Sequence, residues 1–142
     1  MLDDQHLRTI SLIGHQNHQI LTTSSVMIIG LGAVGGYALE NLARIGVKNL
    51  IVVDFDTFEP SNLNRQILAT HKTINHPKTE IAKERILEIN PDAAVTTISQ
   101  KLTSNNLDFI TSLKPDFVID AIDDTTAKIA LIEILLSNNI QQ

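Results

Sequence analysis

Short unbroken apolar runs alternate along this chain with stretches in which apolar residues recur every three or four positions. Val26-Met27-Ile28-Ile29 ends at Gly30, and Asn49-Leu50-Ile51-Val52-Val53 ends at Asp54. Runs of this length, free of polar interruption, suit strands buried on both faces of a parallel sheet. Val95 to Ile98 and Phe117-Val118-Ile119-Asp120 read as a third and a fourth strand. Between the first two, Leu39, Leu42 and Ala43 repeat at helical spacing up to Gly46, where a helix C-terminus is expected. Pro77 suits the first turn of a second helix, with Ala82, Ile86 and Ile89 as its buried stripe and Asn90-Pro91 as its end. Further helices are expected around Asn105 to Leu113 and from about Thr126 to Leu136. Strands that alternate with helices predict an α/β fold, a parallel sheet with helices on both faces.

Two segments stand outside this alternation. Leu7, Ile10 and Leu12-Ile13, broken by Gly14, predict a short helix, a turn and a second helical piece, a lead-in covering residues 1–24. Residues 55–76 contain Pro60, Ser61, Asn62, Asn64 and Asn75 without a sustained period, so they form a long connection, and long connections in compact domains are often functional.

A length of 142 residues with 43% hydrophobic content fits one domain with a core. With 4 Phe and 1 Tyr, that core should be mainly Ile, Leu and Val. The net charge of −5 argues against a general nucleic-acid-binding surface while leaving room for a local basic pocket. The absence of Cys excludes disulfides, thiolate zinc sites and a cysteine nucleophile from these residues. The acidic start Met1-Leu2-Asp3-Asp4 is unlike a signal peptide, and Glu133 interrupts the apolar stretch Ile129 to Leu136. A cytoplasmic protein without a membrane segment is expected.

Gly30-Leu31-Gly32-Ala33-Val34-Gly35 matches G-x-G-x-x-G between an expected strand and an expected helix. In that setting Gly30 permits the tight turn, Gly32 lets a phosphate approach the backbone, and Gly35 allows close helix–strand packing. The free N–H groups of the helix N-terminus then face the phosphates. Asp54, roughly 20 residues further on at the end of the second strand, is where an acidic side chain accepts from a ribose hydroxyl. These features predict a Rossmann-like nucleotide-binding domain over residues 25–142. Four strands are only part of such a sheet, so the domain is expected to continue past Gln142.

Charged residues beyond the loop suit a triphosphate. Arg65, in Asn62-Leu63-Asn64-Arg65-Gln66, offers a planar fork of donors to phosphate oxygens, with Asn62 and Gln66 expected to orient it. Lys78 follows Pro77 in the first turn of a helix, where the macrodipole disfavours a cation by roughly 0.3–1 kcal/mol unless an anion is present. Asp120, Asp123 and Asp124 sit at and beyond the carboxyl end of the fourth strand, the edge where open α/β sheets bind ligands. Mg²⁺ takes one or two carboxylates plus substrate phosphates, and Asp123 is the candidate ligand. The 5 histidines form no dense ligand pattern; His15 and His18 could share a helix face.

GLGAVGG after a strand, VVDFD, SNLNRQ, HPKTEIAKERILEINP and DAIDD occur together and in this order. Over about residues 7 to 136 the sequence resembles the ubiquitin-activating-enzyme-like adenylyltransferases, which include the molybdopterin- and thiamine-pathway sulfur-carrier activators. The resemblance implies that Gly30, Gly32 and Gly35 form a phosphate loop, in which Ala33 replaces a common glycine. It further implies that Asp54 binds ribose, Arg65 and Lys78 contact the phosphates of ATP, and Asp123 holds Mg²⁺. Arg8 matches an arginine that family homodimers insert into the partner's ATP site. Within the family, Asn62-Leu63-Asn64-Arg65-Gln66-Ile67 and Asp120-Ala121-Ile122-Asp123 look most like the branch that activates threonylcarbamoyladenosine in tRNA. Sulfur-carrier activators typically have Gln where Asn64 stands and Cys where Ala121 stands.

Three other readings remain at this point. One is an adenylyltransferase whose partner is a small sulfur-carrier protein. Another is an NAD-dependent oxidoreductase using the same loop and Asp54, which would leave Arg65, Lys78 and Asp123 without a shared task. The third is a nucleotide-binding fragment without catalysis.

Overall fold

A computed structural model describes residues 4–142. The first three residues of the expected lead-in, and with them most of the acidic start, lie outside the described residues. After a 3₁₀ turn at Asp4–His6 come α1 (Leu7–Ile13) and α2 (His15–Thr23), separated by Gly14 at φ 83°. The remainder runs β1 (Ser25–Ile29), α3 (Ala33–Ile45), β2 (Asn49–Val53), α4 (Lys78–Ile89), β3 (Ala94–Ile98), α5 (Asp108–Leu113), β4 (Phe117–Asp120) and α6 (Thr125–Ser137).

The 4 strands form one parallel sheet in the order β3-β2-β1-β4. The apolar runs that end at Gly30 and Asp54 thus become the two central strands, in register from Ser25 opposite Asn49 to Ile29 opposite Val53. Alternate side chains divide the core into two layers. Val26, Ile28, Leu50 and Val52 pack with Leu39 and Ala43 of α3 and with Ala82 and Ile86 of α4. Met27, Ile29, Ile51 and Val53 pack on the other face with Ile110 of α5 and Leu131 and Leu135 of α6. Each fully buried aliphatic side chain of this kind contributes about 1.5–3 kcal/mol by leaving water. The aliphatic core also admits Met27 and Phe58, both at 0% exposure.

The chain's punctuation follows local chemistry. Gly46 takes the left-handed conformation at φ 95° and closes α3, with its N–H and that of Val47 bonding back to carbonyls of the last turn. The α5 helix starts at Asp108 rather than near Asn105, because the Asn106 side chain accepts from Thr103 N–H and donates to the Lys101 carbonyl, holding a turn. β3 is an edge strand with Ala94, Thr96 and Thr97 exposed.

One charged group is buried between helices of the same layer. Glu40 of α3, whose side chain is 9% exposed, accepts two hydrogen bonds from Arg85 of α4 at 2.8 and 2.7 Å and two from Arg44 at 3.0 and 2.6 Å. The Arg85 hydrogen bonds hold the Glu40 carboxyl below its ordinary range; burial opposes this and Arg44 reinforces it. A carboxylate with a depressed folded-state pKa stabilises the fold above its unfolded pKa and loses that contribution as the pH falls through the folded value. Glu40→Gln should therefore cost about 1–2 kcal/mol at neutral pH, allowing for the partial exposure of both arginines. Denaturant melts at a series of pH values should show the gap between wild type and variant closing below about pH 4.

Candidate functional site

A cavity of about 450 Å³ opens at the carboxyl ends of β1, β2 and β4. It lies where the strand order reverses, with β2 on one side of β1 and β4 on the other, the position at which open α/β sheets bind ligands. A larger groove of about 680 Å³ lies at the opposite end of β4, beside Ile20, Lys114 and Phe117. There the nearby carboxylate of Asp116 already accepts the Ser25 N–H at 2.8 Å, and none of the charged candidates is present.

The glycine loop forms one wall, and its three glycines meet three different constraints. A side chain on Gly30, at φ 95°, would place its Cβ 2.4 Å from the Ala121 carbonyl oxygen. A Cβ on Gly35 would lie 1.7 Å from the Gly30 carbonyl oxygen, so the start of α3 rests directly on the loop. A Cβ on Gly32 would meet only Gln66 Nε2, at 3.8 Å, leaving the backbone there open to the cavity. Ala33 follows as the first residue of α3 and also lines the cavity.

Asp54 uses both carboxylate oxygens on backbone groups: Oδ2 accepts from Leu31 N–H at 2.7 Å and Oδ1 from Asp56 N–H at 2.9 Å. The chain then runs through an antiparallel bridge between Thr57 and Pro77, with Phe58 N–H donating to the His76 carbonyl at 3.0 Å and Lys78 N–H to the Asp56 carbonyl at 2.9 Å. This small ribbon carries Lys78 to the cavity as the first residue of α4. Lys78 is 6% exposed. Its Nζ lies 3.7 Å from Asp56 Oδ2, beyond hydrogen-bonding distance, and 5.6 Å from the centroid of the Phe58 ring. A buried ammonium at a helix N-terminus without a hydrogen-bonded anion is costly unless a ligand supplies one.

The long connection contributes Asn62, Arg65 and Gln66. The expectation that Asn62 and Gln66 orient Arg65 is not met. Arg65 Nη1 donates instead to Asn64 Oδ1 at 2.9 Å and to the Ser61 carbonyl at 3.0 Å. Asn62 Oδ1 is occupied by the Glu59 N–H at 2.9 Å, closing the 3₁₀ turn Pro60–Asn62. Gln66 is 7% exposed, and its Oε1 has no hydrogen-bond partner among the described residues. Arg65 is exposed and has no carboxylate within 4.0 Å among the described residues.

The structure separates the three aspartates that spacing alone left together. Asp120 Oδ2 is bound by Lys128 Nζ at 2.8 Å and by Gln142 Nε2 at 3.1 Å, while Oδ1 accepts from Ile122 N–H. Asp124 Oδ1 accepts from Ala127 N–H at 2.8 Å and caps α6. Asp123 is exposed, lines the cavity and is bonded to no described residue. Arg8, exposed on α1, does not line the cavity of its own chain. His18 stacks with His6, the ring centroids 5.0 Å apart, and no group of three metal-ligating side chains occurs among the described residues.

Sequence reasoning passed over Phe55, Asp56 and Lys101, all of which line the same cavity. Phe55 is 54% exposed, with Lys101 Nζ 5.4 Å from its ring centroid. Phe55 and Asp56 adjoin Asp54, and Lys101 stands just past the carboxyl end of β3; adjacency to strand ends was the signal available for them.

Known proteins share this fold. The model of the ThiF family matches residues 4–141. The chain is 36% identical over 132 residues to the tRNA threonylcarbamoyladenosine dehydratase of Escherichia coli K12, covering 93% of this chain and 49% of that protein. It is 38% identical over 128 residues to the sulfur carrier protein ThiS adenylyltransferase of the same organism, covering 90% and 47%. A crystal structure of the E. coli dehydratase in complex with ATP superposes with a TM-score of 0.93 at 34% identity, covering 96% of this chain and 56% of that one. The chain thus spans about half the length of the curated relatives it matches. A parallel sheet with a glycine loop at its switch point, and a family match over nearly all of its residues, establish that this chain belongs to the ThiF family.

Proposed function

We propose that residues 25–142, behind the lead-in of residues 1–24, form the nucleotide-binding part of an ATP-dependent adenylyltransferase that activates a carboxylate. The proposed acceptor is threonylcarbamoyladenosine in tRNA. The observation that carries the reading is the buried Lys78 ammonium, without a hydrogen-bonded anion, in one cavity with the unengaged Asp123 and an Arg65 that has no acidic partner. An oxidoreductase would give this set no common task.

In this reading the backbone at Gly32 and the N-terminus of α3 receive phosphate oxygens. Asp54 accepts from the ribose, each of its oxygens keeping a second lone pair for a hydroxyl. Phe55 offers a flat apolar face to the base. The donor set fits Mg²⁺ as well, since Asp123 is a free carboxylate beside the phosphate-facing groups. Bound there, Mg²⁺ would neutralise charge on phosphate oxygens. The acceptor carboxylate attacks the α-phosphate, forming a carboxyl–phosphate bond while the bond between the α- and β-phosphates breaks. Lys78 and Arg65 stabilise the charge that develops on the departing pyrophosphate. Ring closure to the cyclic nucleoside follows with loss of AMP.

The choice of tRNA over a sulfur-carrier protein rests on Asn64 and Ala121. Asn64 Oδ1 holds the Arg65 guanidinium at 2.9 Å. Ala121 supplies the carbonyl against which Gly30 is packed. The family resemblance implies that sulfur-carrier activators typically have Gln and Cys at these two positions. Arg8, which is exposed and does not line its own cavity, is proposed to reach that of a second copy in a homodimer. No described helix is long and apolar enough to cross a membrane, and a cytoplasmic setting fits a tRNA substrate.

Titration calorimetry should show ATP with Mg²⁺ binding more tightly than NAD; micromolar NAD binding with no response to ATP would overturn adenylylation. Asp123→Ala should melt close to wild type and lower pyrophosphate release with threonylcarbamoyladenosine-bearing tRNA by about 10²–10³. Asp124→Ala, by contrast, should lose about 1 kcal/mol of stability through its helix cap. Sedimentation should detect a dimer that Arg8→Ala leaves assembled but less active; a monomer at all concentrations would remove Arg8 from the site.

A further inference from the structure

The glycine loop and Lys78 face the same cavity from different elements, β1–α3 and α4. A single path of hydrogen bonds joins them. Leu31 N–H donates to Asp54 Oδ2 at 2.7 Å, and Asp56 N–H to Asp54 Oδ1 at 2.9 Å. The Asp56 carbonyl then accepts from Lys78 N–H at 2.9 Å. No other hydrogen bond among the described residues links the loop to the Asp56–Phe58 arm. Asp54 is itself fixed to the sheet, its N–H donating to the Ile98 carbonyl at 3.2 Å.

From this we infer that Asp54 is a positioning residue for the phosphates: its carboxylate sets the spacing between the Gly32 backbone and the Lys78 ammonium, in addition to any contact with ribose. The inference rests on the nucleotide reading above and extends it. Only a carboxylate serves this position. Its two oxygens each accept from a backbone N–H, whereas the Asn amide presents one oxygen and one NH₂ group. Whichever way that amide turns, it sets a donor against a donor at Leu31 or at Asp56, and one link of the path opens.

Inorganic tripolyphosphate is the discriminating probe, because it has neither ribose nor base. Calorimetry with Mg²⁺, well below the melting temperature of each variant, should show Asp54→Asn weakening tripolyphosphate binding about tenfold, the effect of one charge-assisted hydrogen bond. If Asp54→Asn weakens ATP but leaves tripolyphosphate unchanged, Asp54 serves the ribose alone and the inference is overturned. It is equally overturned if the variant merely melts earlier while binding both ligands normally. Asp56→Asn is the companion variant, since it keeps the backbone N–H and carbonyl of the path and removes only the carboxylate 3.7 Å from Lys78. It should bind tripolyphosphate at least as well as wild type; a loss equal to that of Asp54→Asn would place the effect in local charge and overturn the inference. Should Asp54→Asn fail to fold, hydrogen exchange on the wild type decides: the Leu31 and Asp56 amides should be protected without ligand, and rapid exchange of either overturns the path. Failure of the nucleotide reading itself would be seen separately, as a wild-type chain that binds neither ATP nor tripolyphosphate.

Discussion

Everything in the cavity depends on how closely α3 approaches the end of β1. The Gly30 carbonyl occupies the place where any side chain on residue 35 would have to go, and the Ala121 carbonyl does the same for residue 30. Removing two Cβ atoms lets the first turn of α3 sit on the loop, and that brings the helix N-terminus and the open backbone of Gly32 to the mouth of the cavity. β4 takes part in the same contact, because Ala121 N–H donates to the Ile29 carbonyl at 2.8 Å and carries Asp123 to the rim just beyond. Loop, helix and metal candidate thus share one steric requirement.

The larger elements were legible because their burial leaves a plain trace. The central strands are uninterrupted apolar runs, and the helices keep the period expected of one buried face. Asp54 and Lys78 could be found because strand ends and helix starts are positions where chemistry is concentrated. Legibility stopped where side chains choose among nearby partners. Asp120, Asp123 and Asp124 are equivalent in spacing, and only the reach of Lys128 and the start of α6 divide them. Asn62 reads as a neighbour able to steer Arg65, yet the 3₁₀ turn captures its side chain first. Lys101 meets Phe55 only because β3 lies beside β2, a proximity that no local pattern records.

Charge is placed with similar economy. Glu40 and Asp120 are each committed to arginine or lysine within the fold, and both are nearly buried. The groups left without a full partner, Lys78, Arg65 and Asp123, face one cavity and carry both signs. Such a set suits a ligand that is itself an anion with a bound cation. In the proposed reading, a net charge of −5 is compatible with a polyphosphate because the attraction is local: of the other acids lining the cavity, Asp54 is engaged by two backbone N–H groups and Asp124 caps α6, while Asp56 faces Lys78.

The two-stranded ribbon between Thr57 and Pro77 has an effect on how this sequence can vary. By joining the arms at Phe58 and His76, it isolates Lys78 from the surface segment around Thr70, His71 and Lys72, all of them exposed. Lengthening that segment changes the closure entropy of a loop whose ends are already fastened, and doubling such a loop adds only about 0.6 kcal/mol. The tip is therefore open to insertions and grafts, and new surface contacts can be built there without shifting the lysine that faces the cavity.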